Sequence, residues 1–328
     1  MCGISGILNF SNRKIDNRKI IKNLITAQHA RGPDNNNYWV SEDDRITLGH
    51  NRLSIIDLSL NANQPFISND KNFIISFNGE IYNFLELKKE LSEKNIFFKT
   101  NSDTEVIIEA YKYWGLNFVK HLRGMFAFCI FDKIKKKIII ARDPFGIKPL
   151  YYTIYNGVLY FASEIKALLK IKDIPFNLSK AGTTCFYIWG HIQEPFTIYE
   201  EIKSLKRGLT KIIDINGNQK DMEYASIKET ILNTESKNIK DNFEINAIVK
   251  NELDKSVKHH FISDVPITLL LSSGIDSNVL LASASSQKIP NFDALTLDFS
   301  PKFKNSEINI SDKSAKINNT KHEVRKFL

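Results

Sequence analysis

Short apolar runs and amphipathic stretches alternate along the first two hundred residues. Strand-length runs, most of them bounded by Gly, Asn, Asp or Pro, cover Ile4–Phe10, Ile46–His50, Phe73–Asn78, Met125–Phe131, Lys137–Arg142, Tyr151–Tyr155 and Val158–Ala162. Apolar residues at helical spacing predict helices over Arg18–His29, Phe84–Lys94 and Thr104–Trp114. Because strands and helices are grouped in blocks, the pattern predicts an α+β layer architecture.

The pattern changes after Arg207-Gly208. A hairpin-like stretch turns at residues 216–218, and a polar segment over 226–241 is typical of a linker. The order that follows is helix, strand, glycine-containing turn, helix and strand, over Ile245–His259, Pro266–Leu271, Asn278–Ser286 and Asp293–Phe299. This βαβ order predicts a parallel, doubly wound α/β sheet. We therefore expect a first domain over 2–215, a linker over 216–242 and a second domain over 243–328.

Composition and charge narrow the class of protein. The 328 residues are 42% hydrophobic and 25% charged, which is typical of a globular chain, and the net charge is +8. Lysine is spread along the chain without an arginine-rich stripe, so nucleic-acid binding is not expected. The three cysteines are scattered, which favours neither a disulfide scaffold nor a structural zinc site. No apolar run reaches the length of a membrane span, and we expect a cytoplasmic protein.

Cys2 is the first candidate for chemistry. Aminopeptidases remove Met ahead of a small residue, so we expect Cys2 to become the N-terminus and to carry a thiol and a free α-amine together. The reference pKa is about 8 for the amine and about 8.5 for a thiol, so a modest shift lets the amine accept the thiol proton. This pairing is typical of enzymes whose N-terminal residue attacks an amide carbonyl. The alternative is a cysteine that stands at position 2 by chance.

Three further motifs each have a functional and a structural interpretation. Arg52 closes an apolar strand, where it could pair with a carboxylate or be a solvated surface residue. Asn78-Gly79 supplies two donors suited to an oxyanion, although Asn-Gly is also a common turn. The segment 272–277, Ser-Ser-Gly-Ile-Asp-Ser, follows a buried strand and opens a helix. It suits a phosphate group, or it is a turn with an ordinary N-cap.

Taken together and in order, the motifs resemble one family. They are MCGISGI, RGPD, LGHNRLSIIDLS, FNGEIYN, SDTEV, GMFAFCIFD, ARDPFGIKPLYY, FASEIKALL and SSGIDS. Their order is similar to that of the glutamine-hydrolysing asparagine synthetases over nearly the whole chain. The resemblance implies an N-terminal-nucleophile glutaminase, built as an αββα sandwich, followed by a partial pyrophosphatase-type nucleotide-binding domain.

For the glutaminase half, the resemblance implies roles at matching positions. Cys2 attacks the glutamine carboxamide, while Asn78 and the backbone of Gly79 hold the oxyanion. Arg52 pairs with the glutamine α-carboxylate. The remaining substrate contacts implied are Glu80 and Asp103, which receive the α-ammonium, and Leu53 and Ile55, which line the pocket.

For the second half, the resemblance implies ATP, carried with Mg²⁺ as a substrate, and aspartate as the acceptor of ammonia. It implies no tightly bound cofactor and no metal held by the protein alone, and it allows a homodimer. The implied nucleotide contacts are Leu271, Ser272, Gly274, Asp276, Ser277 and Leu297.

The chain ends at Leu328, shortly after this loop, so we expect an incomplete synthetase half that lacks later aspartate and adenylate contacts. Two alternatives to a truncated asparagine synthetase stay open. One is a related amidotransferase that acts on another carboxylate, and the other is a glutaminase-only or non-catalytic subunit.

Overall fold

The computed structural model describes residues 1–11, 13–234, 242–290, 292–299 and 307–326. The chain divides into two compact units, Met1–Thr234 and Glu235–Leu328. The first unit contains two β-sheets and the second contains one, and each unit has its own buried core.

Strands and helices of the first unit follow the predicted order with additions. The strands are β1 (Gly3–Asn9), β2 (Asn35–Val40), β3 (Ile46–Arg52), β4 (Phe66–Ile67), β5 (Phe73–Ile81), β6 (Gly124–Asp132), β7 (Lys137–Arg142), β8 (Tyr151–Tyr155), β9 (Val158–Ala162), β10 (Lys203–Ser204), β11 (Leu209–Asp214) and β12 (Gln219–Glu223). The helices are α1 (Asn17–Ala27), α2 (Phe84–Ser92), α3 (Asp103–Trp114), α4 (Ile165–Leu168), α5 (Lys180–Trp189) and α6 (Ile227–Asn233).

Two antiparallel six-stranded sheets pack face to face. Their strand orders are β10-β8-β9-β1-β3-β2 and β12-β11-β7-β6-β5-β4. Successive side chains of a strand point to opposite faces. In β1, Ile4 and Leu8 therefore enter the core between the sheets, whereas Ile7 packs with Ile21 and Leu24 of α1 on the outer face. Helices α2 and α3 belong to the second sheet's side, where the Tyr111 ring packs edge-on against Phe73. The predicted αββα sandwich is confirmed.

The structure differs from the sequence predictions in two segments of this unit. Residues 35–40, for which no strand was predicted, form β2, an edge strand whose backbone pairs with β3. The predicted linker over 216–242 contains β12, which pairs with β11 in the second sheet, and α6. The first unit thus extends past residue 215, because β12, the hairpin partner of β11, lies beyond that residue. Residues 235–241 of that linker lie outside the described residues.

The second unit contains α7 (Asn242–His260), β13 (Ile267–Leu270), α8 (Ile275–Ser286), β14 (Phe292–Asp298), α9 (Ile308–Ile317) and β15 (His322–Lys326). Its strands pair in parallel in the order β13-β14-β15. Leu271, Leu281, Ala294 and Ala315 form its small core. The predicted partial α/β sheet is confirmed. The residues that follow β13 and β14 lie at the carboxyl-terminal edge of this sheet.

Candidate active site

One cavity of the first unit, about 290 Å³ in volume, collects the predicted glutaminase residues. It lies where the start of β1, the ends of β3 and β5 and the start of α3 meet. All eight predicted residues line it, namely Cys2, Arg52, Leu53, Ile55, Asn78, Gly79, Glu80 and Asp103. Antiparallel pairing explains the first convergence. Because Gly3 pairs with Asn51, the residue before β1 lies beside the end of β3.

Hydrogen bonds fix both the side chain and the backbone of Cys2. Its Sγ accepts from the backbone N–H of Leu53 at 3.4 Å and lies 3.5 Å from the Leu53 carbonyl oxygen. The Arg31 Nε–H donates to the Cys2 carbonyl oxygen at 2.8 Å. Burial raises the pKa of the Cys2 thiol, and Asp103 adds to this, whereas the Leu53 N–H, the N-terminal ammonium and Lys148 lower it. Met1 lines the same cavity, so its removal enlarges the space in front of the thiol.

Asn78 and Gly79 lie side by side near the end of β5. The Asn78 side chain is 1% exposed, and neither its Nδ2 nor its Oδ1 has a hydrogen-bond partner among the described residues. A buried polar group left without a partner costs about 1–3 kcal/mol. Gly79 pairs with Phe126 of β6, and a Cβ at this position would meet the Met125 carbonyl oxygen at 2.1 Å. Position 79 therefore requires glycine, and Asn78 keeps unused hydrogen-bonding capacity toward the cavity.

Arg52 is buried and organises the loop that follows β3. Its Nη1 donates to the Ser59 carbonyl oxygen at 2.9 Å and to Asn63 Oδ1 at 2.7 Å, and its Nη2 donates to the carbonyl oxygen of Asp57. A guanidinium has five N–H groups. Counting only partners in the described ranges, two N–H groups are left for an anion in the cavity.

The opposite wall of the cavity is acidic. Asp103 is the first residue of α3 and is 5% exposed, and its Oδ2 accepts from the Ile81 N–H at 3.0 Å. Burial, reinforced by the charge of Glu80, raises the pKa of Asp103 to about 7. Two carboxyl groups share this wall, so it suits a cation, which would favour the ionised form of Asp103.

Lys148 and Gln64 line the cavity but were not among the predicted site residues. The Gln64 Oε1 accepts from Phe77 N–H at 2.7 Å, and its Nε2 donates to Thr104 Oγ1 at 3.2 Å, so it ties β5 to α3. Lys148 is 4% exposed. One signal could have indicated it, since it stands between Ile147 and Pro149-Leu150 in a segment otherwise poor in charge.

The predicted nucleotide contacts lie together in the second unit, at the carboxyl-terminal edge of its sheet. Leu271 and Ser272 follow β13, Leu297 lies near the end of β14, and Asp276 and Ser277 are in the first turn of α8. The loop is ordered by its own hydroxyls. Ser277 Oγ accepts from the Ser272 N–H at 3.1 Å, and Ser272 Oγ accepts from the Gly274 N–H at 3.2 Å. The arrangement is a short polar loop that opens a helix, a geometry suited to phosphate.

The described ranges contain neither a metal-ligand cluster nor a membrane-spanning helix. No three His, Cys, Asp or Glu side chains there come together as a metal-ligand set. Within the same ranges, none of the helices is both long enough and apolar enough to cross a bilayer.

Comparison with known proteins gives matches in both units. Residues 1–225 match the family model described as a glutamine amidotransferase domain, and residues 249–327 match the one described as asparagine synthase. The chain is 36% identical to asparagine synthetase [glutamine-hydrolyzing] 1 of Bacillus subtilis, over 87% of this chain and 44% of that protein. It is 32% identical to amidase chry2 of Gibberella zeae, over 87% of this chain and 43% of that protein. The chain thus spans less than half the length of these two relatives.

A solved structure shares the fold. The glutamine phosphoribosylpyrophosphate amidotransferase from B. subtilis, complexed with ADP and GMP, superposes with a TM-score of 0.50 at 18% identity. The superposition covers 98% of this chain and 65% of that one.

Proposed function

Because the chain belongs to the glutamine amidotransferase family and is related to the glutamine-hydrolysing asparagine synthetases, we propose that its first unit hydrolyses glutamine with Cys2 as the nucleophile. The family predicted from the ordered motifs is confirmed. The observation that carries the proposal is the buried amide of Asn78, which has no hydrogen-bond partner in the described part of the chain and lies in the cavity that also contains Cys2. An amide that keeps its donor free toward a nucleophile suits an oxyanion, whose charge appears only as the reaction proceeds.

The proposed reaction begins once Met1 has been removed. The Sγ–H proton passes to the α-amine of Cys2, and the thiolate attacks the carboxamide carbon of glutamine. As the Sγ–C bond forms, the carbonyl π electrons move to oxygen, where Asn78 Nδ2 and the Gly79 N–H donate hydrogen bonds. The oxyanion then collapses, the C–N bond breaks, and the α-ammonium returns its proton to the leaving nitrogen, which departs as ammonia. Water hydrolyses the thioester to glutamate.

The two charged walls of the cavity account for selection of a free amino acid. The two remaining N–H groups of Arg52 bind the α-carboxylate, and Glu80 with Asp103 receives the α-ammonium. Leu53 and Ile55 pack against the side-chain methylenes. A glutamine inside a peptide lacks both α-charges, so it would neutralise neither the Arg52 guanidinium nor the Asp103 carboxylate.

For the whole protein we propose asparagine synthesis. The aspartate side-chain carboxylate attacks the α-phosphorus of ATP and releases pyrophosphate, and ammonia then displaces AMP from the aspartyl-adenylate. ATP brings Mg²⁺ with it as substrate, and the loop of Ser272, Gly274 and Ser277, with Asp276 beside it, receives the pyrophosphate. Leu271 and Leu297 contact the nucleoside. A reducing cytoplasm suits the free thiol of Cys2.

A second acceptor is favoured by one observation. The relative of Gibberella zeae is called an amidase although it is as extensively aligned as the asparagine synthetase of B. subtilis. We therefore keep an ammonia transfer to a different carboxylate as the alternative. Both proposals share the same glutaminase.

The test is glutamate release by the processed chain. We expect hydrolysis of glutamine by the parent protein, with Met1 removal verified by mass spectrometry, and none by Cys2→Ala, with unchanged thermal unfolding. Turnover by Cys2→Ala would reject the nucleophile, and so would turnover by a form that keeps Met1. Adding ATP with aspartate, or with other carboxylates, and measuring pyrophosphate then tests the acceptor.

A further inference from the structure

Lys148 is a buried ammonium in the cavity of Cys2, and it lacks a strong hydrogen-bond acceptor within the described ranges. The side chain is 4% exposed, and among the described residues its Nζ donates to one atom, Met1 Sδ, at 3.4 Å. A thioether sulfur is a poor acceptor, whereas an ammonium has three N–H groups to satisfy. A buried charge without a good partner is costly. Met1 is also the residue whose removal exposes the α-amine of Cys2, so processing takes this partner away.

The backbone of Lys148 is fixed by two charged neighbours. The carboxylate of Asp143, itself fully buried, accepts from the N–H groups of Ile147 at 2.9 Å and Lys148 at 3.0 Å. The Arg142 Nε–H donates to the Lys148 carbonyl oxygen at 2.7 Å. The backbone N–H and the carbonyl oxygen of Lys148 are thus each held by a charged side chain. The loop therefore sets the position from which the lysine side chain enters the cavity.

Charged groups from several elements face this ammonium. Burial lowers the pKa of Lys148, and Arg31 lowers it further. Glu80 from β5, Cys2 from the start of the chain and Asp143 from the same loop raise it. The positive charge of Lys148 also lowers the pKa of the N-terminal ammonium, which is that of Met1 before processing. The anions that Lys148 can neutralise inside the cavity are therefore Glu80 and the ionised Cys2 sulfur.

We propose that Lys148 is a positioning residue for the nucleophile: after Met1 is removed, its ammonium holds the Cys2 thiolate and discourages protonation of the adjacent α-amine. The proposal deepens the proposed function and rests on it. Lys148 keeps its own protons throughout, and the proton that leaves Sγ still goes to the α-amine. A nearby cation favours the thiolate and disfavours the α-ammonium. The resting enzyme then carries a neutral base beside a readily ionised nucleophile.

The test uses the chain with Met1 removed and three variants. Lys148→Met removes the charge and keeps an unbranched side chain, Lys148→Arg keeps the charge, and Lys170→Met removes an exposed lysine elsewhere in the first unit as a matched control. Alkylation of Cys2 by iodoacetamide is followed against pH, with peptide mass spectrometry separating Cys2 from Cys129 and Cys185. This readout reports the thiolate whether or not glutamine is turned over.

We expect Lys148→Met to move the midpoint of the alkylation profile upward by about one pH unit or more, the size of shift that a nearby charge produces. At pH 7 its alkylation rate should fall about tenfold, while at high pH all variants should react alike. Lys148→Arg and Lys170→Met should keep the parent midpoint. Glutamate release by Lys148→Met should show a lower kcat with little change in KM.

Coincident alkylation profiles for parent and Lys148→Met would overturn the proposal even if glutamine hydrolysis were lost. If Lys148→Met unfolds, Lys148→Arg becomes the deciding variant, because it keeps the positive charge. An alkylation midpoint of Lys148→Arg shifted as far as that of the chemically denatured chain would also reject a role for the charge. Conversely, a shifted midpoint in Lys148→Met together with no glutaminase activity in the parent would reject the proposed function and leave the role of Lys148 supported.

Discussion

Asp103 offers a test in which stability and substrate binding should change in opposite directions. Its pKa rises from 3.8 to about 7 because the carboxyl is buried at the start of α3 near Glu80. A carboxyl whose pKa is raised on folding keeps its proton in the native state while the unfolded chain has already lost it. The contribution of Asp103 to stability is therefore highest below pH 4, declines as the pH rises from about 4 to about 7, and is constant above.

The size of the effect follows from the shift. About three pH units separate the folded and unfolded values, and each unit corresponds to about 1.4 kcal/mol, so ionised Asp103 lowers the free energy of unfolding at pH 8 by up to about 4 kcal/mol. Asp103→Asn removes the charge and keeps an oxygen that can accept from the Ile81 N–H. We expect it to raise the free energy of unfolding at pH 8 by about 2–4 kcal/mol and to change it little at pH 4.

Glutamine binding should strengthen as the pH rises, whereas the contribution of Asp103 to stability declines. The ionised form of Asp103 receives the glutamine α-ammonium in our proposal, so the KM of the parent should fall as the pH rises from 6 to 8. Below pH 7 the change should approach tenfold per unit. In Asp103→Asn the KM should be raised and should no longer depend on pH in this window. Urea unfolding at pH 4 and 8, together with initial rates of glutamate release, measures both effects.

Glu105 provides the matched control, two residues further along α3. Its carboxylate accepts from the Thr100 N–H and Oγ1, both at 2.7 Å, and does not line the cavity. Glu105→Gln should therefore destabilise the protein, because it weakens charge-assisted hydrogen bonds, and should leave the pH dependence of KM unchanged. Loss of stability at pH 8 in Asp103→Asn, or an unchanged KM, would refute the reasoning about this cavity.

Three further substitutions separate the roles in the cavity. Asn78→Ala should lower kcat for glutamine about 10²-fold or more with a small change in KM, because it removes an oxyanion donor, and steady-state kinetics checks this. Arg52→Ala should raise KM much more than it lowers kcat, and identical profiles for the two variants would contradict both assignments. Gly79→Ala should lower the free energy of unfolding by about 1–3 kcal/mol, because its methyl group would overlap the Met125 carbonyl oxygen at 2.1 Å; unchanged stability in urea would show that the strands can separate there.

The sequence alone determined most of the regular structure around the site. Short apolar runs bounded by turn residues predicted the strands later seen as β1, β3 and β5–β9. Strands such as β1 are buried on both faces, between the inter-sheet core and a layer of helices, and therefore appear as nearly continuous apolar runs. The sequence could not predict β2, whose first residues are Asn35-Asn36-Asn37. Only its second half, residues 38–40, carries apolar side chains, a run too short to predict a strand, and the pairing of residues 35–37 with β3 extends it.

Only the tertiary structure decided which residues share the cavity and what charge they carry. Cys2, Arg52, Asn78 and Asp103 are far apart in sequence and meet because β1 runs antiparallel to β3 while β5 ends beside α3. The sequence motifs named them, but the raised pKa of Asp103 follows from its burial, which no local pattern states. Lys148 is the clearest case. Lysine is normally solvated, and Lys148 is buried in a cavity whose lining comes from residues as distant in sequence as Met1, the Sδ of which lies 3.4 Å from its Nζ.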